Sequence, residues 1–156
     1  MKPISRTILA LGVAQILSLG MAASSHAASI ITAVETGGDV VFTAAGGASF
    51  DLTDLSLVSF ANRLSFIEPE SGSFATGATQ GVDQYNGTIS GPTEFGAGMF
   101  EARTTGVGPY AGIFGGGAPV LFVPEGYLSG SILAESTAVY ASQTFATLGI
   151  NPGTYV

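Results

Sequence analysis

Residues 30–43 read IITAVETGGDVVFT, and this stretch decides the fold. Ile30-Ile31-Thr32-Ala33-Val34 is rich in β-branched side chains, and Val40-Val41-Phe42-Thr43 resumes the same character. Between them Glu35-Thr36-Gly37-Gly38-Asp39 forms a turn cluster. A Gly-Gly pair tolerates the positive φ angles of a tight hairpin turn, so residues 30–44 are predicted to form a β-hairpin.

Working outward, the same punctuation continues. Ala45-Gly46-Gly47 breaks the second strand. Leu52, Leu55, Leu57 and Val58 mark a short strand or turn leading into Ser56–Phe60. Residues 61–81 lack alternation and hold Pro69 and three glycines, which predicts a loop with one strand at most. Asn86-Gly87, between Val82–Tyr85 and Thr88–Ser90, is a strong hairpin signal. Further strands are predicted around Phe100–Arg103, Ala118–Val123 and Gly130–Ala141, with Pro124 and Pro152 at strand ends. No stretch supports a long amphipathic helix, and the 23 glycines would each cost up to about 1 kcal/mol inside one. The expected fold class is all-β: a single Gly-rich β-sandwich or β-roll of seven or more short strands.

The N-terminus has a different character. Lys2 and Arg6 precede an apolar run from Ile8 to Ala23, which closes on Ser25-His26-Ala27. That is the layout of a cleavable signal peptide, and the run is short for a membrane span of ~20 apolar residues. Residues 1–27 are therefore expected to be a signal peptide and 28–156 an exported β-rich domain. Removing 1–27 leaves Arg63 and Arg103 against 11 acidic residues, a net charge of −9. Such a surface offers no electrostatic footprint for nucleic acid, and no mature transmembrane segment is expected. With 46% hydrophobic and only 10% charged residues, the chain has the apolar content to fold.

The residue types left after cleavage narrow the chemistry. The chain has no Cys, and its one His leaves with the leader, as does its one Lys. A serine nucleophile then lacks its usual base, and zinc lacks its usual ligands. Two carboxylate pairs remain. Glu68-Pro69-Glu70 would have to bracket a sugar to act as a glycosidase dyad, and neighbours in a Pro-containing loop splay apart. Asp51-Leu52-Thr53-Asp54 lacks the ligand alternation and central glycine of a calcium loop. Gly106-Val107-Gly108-Pro109-Tyr110-Ala111 matches a dinucleotide fingerprint in letters only, because Pro109 removes an amide and no crossover helix follows. Asn86-Gly87-Thr88 is a glycosylation sequon that the turn already explains. Tyr85, Tyr110 and Tyr127 are candidates to stack on sugar rings. No catalytic, metal or cofactor residue is assigned.

Several segments resemble bacterial exported proteins carrying a PEP-CTERM sorting signal, particularly the small Gly-rich ones. They are Glu35–Phe42, Ile89–Gly96, Leu121–Gly130 and, most specifically, Thr144-Phe145-Ala146-Thr147-Leu148-Gly149-Ile150-Asn151-Pro152-Gly153-Thr154-Tyr155-Val156. The resemblance implies export in a bacterium with an outer membrane, handling by an exosortase, and placement at the cell surface or in an extracellular polysaccharide matrix. Family members end in a Pro-Glu-Pro motif, an apolar span and a basic cluster, which do not follow Val156 here. The ending therefore reads as a C-terminal truncation, one that leaves a strand edge unpaired and favours self-association. The expected function is a non-enzymatic structural role in that matrix, with extracellular polysaccharide or other surface proteins as partners. The alternative is a carbohydrate-binding or adhesive module.

Overall fold

A computed structural model describes residues 16–23 and 27–155. The cationic start of the leader, Ser25, His26 and Val156 lie outside the described residues. The strands in chain order are β1 (Ile16–Ala23), β2 (Ala27–Thr36), β3 (Asp39–Ala44), β4 (Ser56–Arg63), β5 (Phe66–Glu68), β6 (Ser73–Thr76) and β7 (Gln80–Asn86). They continue as β8 (Ile89–Ser90), β9 (Glu101–Ala102), β10 (Thr105–Val107), β11 (Ala111–Phe114), β12 (Val120–Pro124), β13 (Ser136–Tyr140) and β14 (Thr154–Tyr155). One turn of 3₁₀ helix, Pro69–Ser71, is the only helix among the described residues.

The strands form two sheets. The first runs β10-β13-β3-β2-β1-β14, with β8 also paired to β1. The second runs β4-β7-β12-β11-β6-β5-β9. Every described pairing is antiparallel except that of β1 with β14. The protein is all-β, as its glycine-punctuated sequence predicts. The β2–β3 hairpin forms as expected, its two-residue turn made by Gly37 and Gly38 at φ 63° and 88°. Ile16–Ala23, inside the segment read as a leader, pairs along its whole length with β2.

Between the sheets lies the main core. Ile31, Phe42 and Tyr140 from the first sheet meet Ile67, Phe74 and Val123 from the second, all essentially without solvent exposure. Burial of side chains this size contributes roughly 1.5–3 kcal/mol each. At one end the sheets are tied by polar contacts. The Thr76 and Ser136 hydroxyls are 2.7 Å apart in the interior, and the Gly77 amide donates to the Thr137 carbonyl at 3.0 Å. The C-terminal segment is fastened by two carboxylates: Glu35 accepts from the Phe145 amide and Asp39 from the Ser142 amide, each at 2.8 Å.

Three sequence expectations need correction. Residues 61–81 are not a loop with one strand at most: they hold the end of β4, all of β5 and β6, and the start of β7. Alternation fails in β5 and β6 because neighbouring residues there are buried on both faces, as in Ser73–Thr76, where four successive residues are buried. Asn86-Gly87 does not close a hairpin. β7 pairs with β4 and β12, while β8 pairs with β1, so the turn carries the chain from one sheet to the other. The strand predicted over Gly130–Ala141 is confined to Ser136–Tyr140, and Ile132 is exposed beside an isolated bridge to Ser49. Gly149 at φ 64° closes a turn after Phe145, and Tyr155 meets Phe95 edge-on at 6.2 Å.

Candidate aromatic groove

The second sheet buries apolar residues on its outer face as well. Neighbours along a strand point to opposite faces, so Ile67, Phe74 and Leu121 point inward while Phe66, Ala75 and Phe122 point outward. Phe66, Ala75, Val82, Tyr110 and Phe122 form a separate small core there, with Val120 packed against it.

Phe66 is its centre. The Phe100 ring stacks on it at 5.3 Å with 24° between planes, Phe114 tilts against it at 6.3 Å, and Phe122 meets it edge-on at 6.4 Å. Tyr110 supports Phe122 edge-on at 6.1 Å. These are the offset and edge-to-face geometries that ring quadrupoles favour, each adding about 0.5–1.5 kcal/mol beyond burial. Among the described residues no second layer covers the cluster, and an open groove of about 510 Å³ results. Phe66 and Phe122 line its floor with Gln84, while Phe100 and Phe114, 57% and 43% exposed, stand as walls. Asn62 and Arg63 supply the polar rim. The Arg63 guanidinium sits 5.9 Å from the Phe122 ring centre, within cation–π range. Among the described residues no acidic side chain lines the groove.

The residues singled out from sequence lie elsewhere or act differently. Tyr110 and Tyr127 are buried, so neither can stack on a sugar, and Tyr85 is half-buried with its ring against the main core. Burial pushes the Tyr110 hydroxyl well above its usual range, against the opposing pull of Arg63 and Arg103. Tyr127 is a structural peg: its hydroxyl accepts from the Phe50 amide at 2.8 Å and donates to the Ser131 carbonyl. Burial raises its pKa, and the bond from Phe50 partly offsets that.

Glu68 and Glu70 flank buried Pro69. Glu68 accepts from the Ser71 hydroxyl at 2.7 Å, and Glu70 is exposed. Asp51 caps its own turn, accepting from the Thr53 amide at 2.9 Å and from Ser129 at 3.1 Å. Gly106 and Val107 belong to β10 and Ala111 opens β11, so the fingerprint-like stretch joins two strands and not a strand to a helix. Asn86 is exposed at the end of β7. Among the described residues no group of three or more His, Cys, Asp or Glu could hold a metal, and no helix is long and apolar enough to cross a membrane.

The groove escaped the sequence reading because its members come from β5, β11, β12 and the segment before β9. The signal present was the run of phenylalanines in positions that fit no single alternation. No family model, no curated protein and no solved structure matches the chain.

Proposed function

We propose that the chain is a non-enzymatic secreted or cell-surface protein with a structural role in an extracellular polysaccharide matrix, and that it holds glycan in the aromatic groove. The observation that carries this reading is the uncovered ring cluster itself. A soluble domain gains nothing by leaving Phe100 and Phe114 exposed around an apolar floor unless something is to lie there. Sugar rings present apolar C–H faces to aromatic rings, and their hydroxyls suit the amides of Asn62 and Gln84 and the Arg63 guanidinium. Export and surface placement are supported by the leader layout and by the resemblance to PEP-CTERM proteins. A non-enzymatic role fits the poverty of acid–base residues and the dispersed, turn-capping carboxylates.

The test is retention on immobilised bacterial exopolysaccharides and on a glycan array, with the Phe100→Ala and Phe114→Ala variants alongside the parent chain. Binding that each variant weakens about tenfold or more supports the reading. A parent chain that binds no glycan sinks it.

A further inference from the structure

We infer that β4 is a self-association edge, and that a second copy of this chain pairs with it antiparallel, joining two second sheets across a twofold axis. With β1 in place, five terminal strands bound the two sheets among the described residues, and they are not equally guarded: β8 has only two residues. β9 has two residues, one of them Glu101; β10 has three and β14 two. Short or charged edges of that kind resist pairing. β4 has eight residues, Ser56–Arg63, and among the described residues pairs only with β7. From Ser56 through Asn62 it carries no charge and no proline. Leu57, Val58 and Phe60 are each at least half exposed. It is therefore a long apolar edge whose outer main-chain groups face solvent.

The identity of the occupant follows from charge and shape. Asp54 lies just before the strand and Arg63 ends it, both exposed. An antiparallel copy centred near Ser59 sets position 54 of each chain opposite position 63 of the other, twice per dimer, and there Arg63 exchanges its contact with Phe122, two strands in from the edge, for the Asp54 carboxylate of the second copy. A chain of net charge −7 would otherwise repel its own copy. The register of β4 on β7 shifts between Leu57 and Ser59, which adds local twist. Twist turns away a flat foreign strand but matches an identical strand that carries the same twist.

Sedimentation equilibrium of the purified chain tests the inference, with circular dichroism confirming that each variant is folded. The expected result is a reversible monomer–dimer equilibrium. Val58→Lys sets two lysines near the axis, and Arg63→Asp sets like charges at both ends; each should weaken the dimer about tenfold or more. The double exchange Asp54→Arg with Arg63→Asp should restore it. A parent chain that is monomeric at every concentration overturns the inference. So does a dimer indifferent to Val58→Lys, or a double exchange no better than Arg63→Asp alone.

Discussion

In the first sheet, β3 and β13 bury every second residue: Val40, Phe42, Ala44, Ala138 and Tyr140 face the core, while Val41, Thr43 and Val139 are only half-buried on the other side. In the second sheet, β6 buries four residues in succession and β12 buries Leu121, Phe122 and Val123 together. The first sheet thus has one dry face and one wet face, whereas the middle of the second, at β6, β11 and β12, is dry on both while its β4 edge is exposed. A sheet buried on one side satisfies itself against a single partner layer. A sheet buried on both needs a second cover, and among the described residues only its own rings provide one. The groove is what that incomplete cover leaves open.

The contrast is broken most sharply by placing a charge on each outer face. Val82→Lys buries an ammonium under the outer cluster, where Val82 is fully enclosed, and is expected to cost several kcal/mol, enough to unfold the chain. Thr43→Lys, on the outer face of the first sheet, should stay within about 0.5 kcal/mol. Chemical denaturation of the two variants decides it; equal losses would mean that the outer faces do not differ. Next in size is Phe74→Ala, which empties the space between the sheets beside Phe95, 6.2 Å away ring to ring. A loss of about 3–5 kcal/mol is expected from the same measurement.

This asymmetry also explains what the sequence revealed. The alternation of Val40 to Ala44 and the glycine pair at 37–38 follow from local chemistry, so the β2–β3 hairpin and the all-β class were legible. β5 and β6 were not, because neighbours buried on both faces erase the period-two signal. β10 and β11 were hidden too, since Gly106, Gly108 and Gly112 look like loop punctuation. The turn at Asn86-Gly87 was correctly placed, but no local feature says that the strands on its two sides join different sheets. Phe66, Phe100, Phe114 and Phe122 span 57 positions of chain and meet only through tertiary pairing. Tyr110 and Tyr127, the sequence's candidates for sugar stacking, are buried, and the exposed rings are Phe100 and Phe114, since burial of the tyrosines depends on that same pairing.

A smaller effect sharpens the comparison from the inner side. The Tyr140 hydroxyl is buried in the core with no hydrogen-bond partner among the described residues, and burial, with Tyr110 nearby, holds its pKa well above the usual value. An unfolded tyrosine loses its proton near pH 10, whereas the folded Tyr140 retains it. The stability this difference contributes is fully present below about pH 10 and is lost as pH rises through the folded pKa. Tyr140→Phe should therefore make the alkaline loss of stability shallower. Near pH 7 it should raise stability by about 1 kcal/mol, because an unsatisfied buried hydroxyl is removed. Thermal melts from pH 7 to 11 check both outcomes, and an unchanged alkaline slope would mean the hydroxyl reaches water.

The smallest expected change in stability is the most informative about the groove. Phe114 stands as a wall, 43% exposed, and touches Phe66 only at a tilt. Phe114→Ala should cost under about 2 kcal/mol, well below Phe74→Ala, because roughly half of its ring is already in water. If the outer cluster were simply a second core, its rings would contribute in proportion to their burial and binding would not respond separately. If the groove is a binding surface, this variant keeps the fold while losing glycan retention. Urea denaturation and retention, measured on the same preparation, separate the two: a loss of retention without a matching loss of stability identifies a wall built for a ligand.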